Sequence, residues 1–179
     1  MRLFKIISLA SLIALSSTAA HAVDLLTVPT SSSDALPVAD AGFDWNGFYA
    51  GVYGIGQTSP VGGGQLGLGV DVGANARLEF VLVGGEVAIE GLGGGAGTTA
   101  YVQGLGKAGI ALTDTAILYG TAGAGFSVGN TAEADVLAGA GVELAVANNV
   151  SLDARYLHGF PITGANPKDQ ISIGANFHF

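Results

Sequence analysis

The sequence predicts an all-β fold, an eight-stranded antiparallel up-and-down transmembrane β-barrel. Three observations lead there. Residues 169–179 alternate without a break, with Ile171, Ile173, Ala175, Phe177 and Phe179 on one face. Gln170, Ser172, Gly174, Asn176 and His178 form the other face. Such period-2 alternation marks a strand with one apolar and one polar side. Its length suits the ~9–11 residues a tilted strand needs to cross a bilayer. Second, mean hydropathy is positive, yet beyond residue 22 no apolar run approaches the ~18 residues of a spanning helix. A membrane protein without such helices must close a barrel, because lipid offers its backbone no partners. Third, alternating segments recur along the chain, joined by tight and long connections in turn.

Composition removes other classes. Among 179 residues there are 30 glycines, no cysteine and a net charge of −8. So many glycines would be costly in helices, and no Gly-X-Y period suggests collagen. Disorder needs more charge and less hydrophobicity. Without cysteine there is no disulfide and no thiolate metal site.

Residues 1–22 have the pattern of a secretory signal. Arg2 and Lys5 are the basic start, an apolar stretch runs from Ile6 to Leu15, and Ala20-His21-Ala22 is the cleavage site. Its removal leaves four basic and fourteen acidic residues, a net charge of −10. That balance excludes nucleic acid as a partner. Residues 23–43, with Pro29, Pro37 and a Thr-Ser-Ser-Ser run, read as a periplasmic linker. The barrel is expected over 44–179.

Its strands follow in order. The first, 45–57, places Phe48, Ala50 and Val52 against Trp45, Tyr49 and Tyr53, and both faces are apolar enough to leave the lipid side open. The second, 65–75, alternates Leu66, Leu68, Val70 and Val72 with Gly67, Gly69, Asp71 and Gly73. The third, 78–91, turns Val83, Val87 and Ile89 outward and Glu86, Ala88 and Glu90 inward. The fourth, 99–112, sends Val102, Ala108 and Ile110 outward and Tyr101, Gln103 and Lys107 inward. The fifth, 116–128, sends Leu118 and Phe126 outward and Tyr119, Thr121 and Ser127 inward. The sixth, 134–146, points Val136, Val142 and Leu144 outward and Glu143 inward. The seventh, 150–160, points Leu152, Ala154 and Tyr156 outward and Ser151, Asp153 and Arg155 inward. The eighth is 169–179. Tight turns are expected at 75–77, 113–115 and 147–149, with longer loops at the opposite end.

Several stretches carry a family resemblance. Phe43-Asp44-Trp45-Asn46-Gly47-Phe48-Tyr49-Ala50-Gly51-Val52 is similar to the opening strand of small alphaproteobacterial porin-like outer-membrane barrels. Phe80-Val81-Leu82-Val83-Gly84-Gly85-Glu86 and Leu118-Tyr119-Gly120-Thr121-Ala122-Gly123 resemble the third and fifth strands of that family. Residues 139–145 and 149–157 resemble its sixth and seventh. The alternating end through Ile171, Ile173, Ala175, Phe177 and Phe179 resembles the assembly signal of bacterial outer-membrane barrels. The resemblance implies export to the outer membrane, contact with its lipids and lipopolysaccharide, and insertion by the barrel-assembly machinery. Two departures weaken any ligand-binding role it implies: short outer loops, and Arg155 where the family has a glutamate.

Glu86, Lys107, Glu143, Asp153 and Arg155 all face inward, and they resemble the lumenal ionic cluster of OmpA-type barrels. A basic side chain on the lipid face would cost ~2–4 kcal/mol at midplane, so inward placement is forced. Inside a narrow lumen these charges need one another. They make either a static plug or a switchable gate, and the sequence favours the plug. Trp45, Phe80 and Tyr119, with Phe177 and Phe179, are expected to form an interfacial aromatic girdle at the periplasmic rim. The inward glycines leave room for water pockets. His158 lacks a serine at strand spacing, since the residue two further on is Phe160. No enzyme, cofactor or metal site is therefore expected. The chain reads as a monomer with a structural or envelope-integrity role. A narrow low-conductance channel is the alternative, and a surface adhesin or haem-binding protein the third.

Overall fold

The computed structural model describes residues 42–60, 63–94, 97–128, 133–163 and 166–179. The expected signal, and the linker as far as residue 41, lie outside the described residues. Eight strands follow one another: β1 (Gly47–Ser59), β2 (Gly63–Leu78), β3 (Val81–Gly94), β4 (Gly97–Thr113), β5 (Ala116–Val128), β6 (Ala134–Ala147), β7 (Val150–Thr163) and β8 (Lys168–His178). Each pairs antiparallel with its successor, and β8 pairs back onto β1, so the sheet is a closed barrel.

The faces follow from parity. Leu66, Leu68, Val70 and Val72 are exposed, while Asp71 between them is buried. Phe48 and Val52 are likewise exposed and Tyr49 and Tyr53 buried, which settles the outer face of β1. An apolar exterior around a polar interior inverts the arrangement of a water-soluble protein and matches a barrel in lipid.

One turn differs from expectation. The alternation of Ala74, Ala76 and Leu78 carries β2 beyond Asn75 to Leu78. The turn is made by Glu79 and Phe80, with Glu79 at φ 56°. Asn75-Ala76-Arg77 has turn-forming composition, but Asn75 is a buried lumenal residue paired with Gly47 and Gly84. The third strand therefore begins at Val81 rather than Leu78. The other tight turns lie at Asp114 and Thr115, and at Asn148 and Asn149.

Candidate functional site: the charged lumen

The lumen is organised by tyrosines that reach across glycines. Tyr49 on β1 pairs with Gly73 on β2, and Gly73 pairs with Glu86 on β3. The Tyr49 ring lies over Gly73, where a Cβ would run into it, and its hydroxyl donates to Glu86 Oε2 at 2.8 Å. Tyr53, Gly69 and Glu90 repeat this four residues further along each strand, with a 3.1 Å hydrogen bond. Tyr101 crosses Gly125 to reach Asp135 at 2.8 Å, and Tyr119 crosses Gly141 to reach Asp153. Gly69, Gly73, Gly125 and Gly141 thus seat aromatic rings, so at these inward positions the space is filled by tyrosine.

Charge pairs cross this aromatic frame. Lys107 on β4 donates to Glu143 Oε2 on β6 at 2.9 Å, and its Nζ sits 4.4 Å from the Tyr119 ring centroid. Ser151 and Asn176 donate to Glu143 Oε1 at 2.6 and 2.9 Å. Arg155 on β7 pairs with Glu86 on β3, from the opposite wall. All four ionic side chains of these two pairs are buried. Asp153 is only partly buried, and the donor it meets is the Tyr119 hydroxyl.

Sequence reasoning left other members out of this cluster. Glu90 accepts from Gln103 and Gln170, each at 2.7 Å, and from Tyr53; all three are neutral donors. Lys168 donates to Asp135 and to Glu133, both at 2.8 Å, near the loop-end mouth. Asp71 is buried on β2, and its Oδ1 has no hydrogen-bond partner among the described residues. Among the described residues the lumen therefore holds six acids (Asp71, Glu86, Glu90, Asp135, Glu143, Asp153) against three Lys or Arg side chains (Lys107, Arg155, Lys168), with the His178 ring 3.3 Å from Glu143. Parity would have found Asp135, because its neighbour Val136 faces outward. Lys168 was hidden because it looked like the end of a loop.

The turn end of the lumen is stoppered. Trp45 is fully buried against Leu82, Ile117 and Tyr119, with Phe43 and Ala145 packed on the cluster. Its Nε1 donates to the Asp114 carbonyl at 3.2 Å. His178 stands edge-on to Phe43 and Trp45 and stacks with Tyr49. Outside the strands, Asn46 donates its backbone and side-chain N–H groups to Asp44 Oδ1, holding that carboxyl below the usual range.

This corrects the expected girdle. Trp45 and Tyr119 are 0% and 2% exposed, so neither faces lipid. Trp45 precedes β1 on an inward-turning segment, and Tyr119 shares parity with Thr121. Phe80, Phe177 and Phe179 are on the outer surface. Of the expected assembly-signal residues, Ile171, Ile173, Phe177 and Phe179 are exposed, and Ala175 is half-buried. The Phe179 N–H donates to the Phe48 carbonyl at 3.0 Å, extending the β8–β1 seam to the end of the chain.

No family model and no curated protein matches the sequence. Solved structures do match in shape. Ail, the attachment invasion locus protein of Yersinia pestis, superposes with TM-score 0.55 at 16% identity, over 74% of this chain and 96% of that one. Neisserial surface protein A gives TM-score 0.54 at 15% identity, over 74% and 97%. A de novo designed transmembrane β-barrel gives 0.50 at 16%, over 72% and 93%. At these identities the likeness is one of fold, and this chain has the fold of a small transmembrane β-barrel.

Proposed function

We propose that this chain is an integral outer-membrane barrel with a structural, envelope-integrity role and a lumen plugged by its own side chains. The observation that carries this reading is the pair of salt bridges, Lys107–Glu143 and Arg155–Glu86, crossing the lumen between non-neighbouring strands. Trp45 closes the lumen below them. Towards the loop end, the void between Tyr101, Leu157 and Lys168 is only about 10 Å³, room for about one water. The barrel acts as a monomer, meets outer-membrane lipid and lipopolysaccharide on its apolar face, and is inserted by the assembly machinery. The reading includes no catalytic step.

Planar-bilayer recording of the refolded protein tests it. Wild type is expected to give no steady unitary current. A stable open level in wild type sinks the plug. A second reading, a narrow channel, is favoured by the lumen's excess of acids, and such a current would be cation-selective. The membrane assignment has its own check. The folded barrel should migrate differently on gels with and without boiling, since a closed sheet resists detergent until heated. Identical mobility with release into the periplasm contradicts it.

A further inference from the structure

Among the described residues, the outward faces of the eight strands carry two ionisable side chains besides Tyr156: His158 on β7 and Asp169 on β8. They are cross-strand partners. A carboxylate only accepts, so His158 Nδ1 donates to Asp169 Oδ1, at 2.8 Å. The Tyr156 hydroxyl donates to that same oxygen. The His158 ring is steadied edge-on against Phe160, 4.5 Å between centroids. Both donors converge on Oδ1, leaving Asp169 Oδ2 and His158 Nε2 open on the outer surface, with Thr58 of β1 across from Asp169. The open carboxylate oxygen and ring nitrogen together offer a ligand two polar contacts side by side.

Depth narrows the ligand. Asp169 is ten residues above Phe179 along β8. At ~3.3 Å per residue and a tilt of ~40° that is a climb of roughly 25 Å, about the height of a barrel's apolar band. The pair therefore sits where lipid headgroups begin. Beside His158 stand Ala138, Tyr156 and Phe160. Thr58 on β1 pairs with Asp169 and not with His158, so the imidazole has no aliphatic hydroxyl beside it to activate and the site binds rather than reacts.

We propose that Asp169 and His158 form a binding site for the phosphoethanolamine group of a membrane lipid. The open carboxylate oxygen accepts from the primary ammonium. In the imidazolium form, His158 Nε2–H donates to a phosphate oxygen. The carboxylate thus meets the ammonium while the adjoining imidazole lies beside the phosphate. A trimethylated ammonium cannot donate, and a headgroup without an amine leaves Oδ2 unmatched.

The test uses the full barrel refolded into phosphatidylcholine nanodiscs doped with one second lipid, with retained lipid counted by native mass spectrometry. Phosphatidylethanolamine is expected to be retained about tenfold over phosphatidylcholine and phosphatidylglycerol, the gain of one charge-assisted hydrogen bond. Asp169→Asn and His158→Phe should abolish the preference. Lipid A with and without phosphoethanolamine is run alongside and shows which source supplies the group. Equal retention of all headgroups by wild type overturns the site, with no variant needed. A preference that survives both substitutions overturns it too. The inference rests on the membrane reading, and a barrel that inserts yet shows no headgroup preference sinks the site while leaving that reading intact.

Discussion

Lys107 and Glu143 meet at 2.9 Å over β5, the strand that separates them, and both are almost wholly buried. Glu143 also collects Ser151 and Asn176, so one carboxylate organises donors from β4, β7 and β8. Glu143→Ala is expected to destabilise the barrel by about 3–5 kcal/mol if the site is dry, and less if water enters. Urea titration of refolded protein in micelles measures this. Lys107→Ala should cost a similar amount, and the double variant less than the sum, because the two act as one unit. Additive losses would show that the pair is not coupled.

The tyrosine seats make a sharper prediction. Gly73→Ala puts a methyl into the Tyr49 ring, which is held by Glu86. Overpacking of this kind costs about 1–3 kcal/mol. Gly91, whose Cβ would meet nothing within 4 Å, is the control, and Gly91→Ala should be neutral or slightly stabilising. Adding Tyr49→Leu to Gly73→Ala should recover part of the loss. Equal effects at the two glycines would remove the ring-seat explanation.

Trp45 is the sole tryptophan, so its fluorescence reports the stopper directly. Emission should be blue-shifted and poorly quenched by iodide while the barrel is folded. Trp45→Ala alone is expected to leave the lumen closed, since both salt bridges lie above it. Trp45→Ala with Arg155→Ala and Lys107→Ala should conduct, because the stopper and both salt bridges lie in series and all must be removed. Current through Trp45→Ala alone would show that the ionic layer does not block.

Deleting Phe179 removes an outward aromatic and the last hydrogen bond of the β8–β1 seam. Synthesis and export should continue while outer-membrane insertion fails. Fractionation with wild-type amounts of the deletion in the outer membrane would show that the chain end is not an assembly signal.

The strands were legible where alternation is clean. Val83, Val87 and Ile89 against Glu86, Ala88 and Glu90 can be read only one way, and β5 matches its expected ends, 116–128. The inward direction of Lys107 and Arg155 followed from the cost of charge in lipid. Parity turned Tyr119 inward as observed, but the girdle role given to Trp45 and Tyr119 did not follow, because rims and lumens both take aromatics. The turn at Glu79 escaped because Asn75-Ala76-Arg77 is the stronger local turn signal, while the pairing of Asn75 with Gly47 and Gly84 overrides it. The tyrosine seats were invisible for a different reason. Tyr49, Gly73 and Glu86 are related only by cross-strand register, which no single segment encodes.

That register has a temporal consequence. Gln170 and Asn176 lie on β8, synthesised after the other seven strands, yet they satisfy Glu90 and Glu143 far earlier in the chain. Arg155 arrives 69 residues after the Glu86 it neutralises. A chain cut short before its final hairpin would carry bare carboxylates that still demand water. Hydration would hold such a fragment out of the bilayer. The polar interior would then act as a check that none of the eight strands is missing.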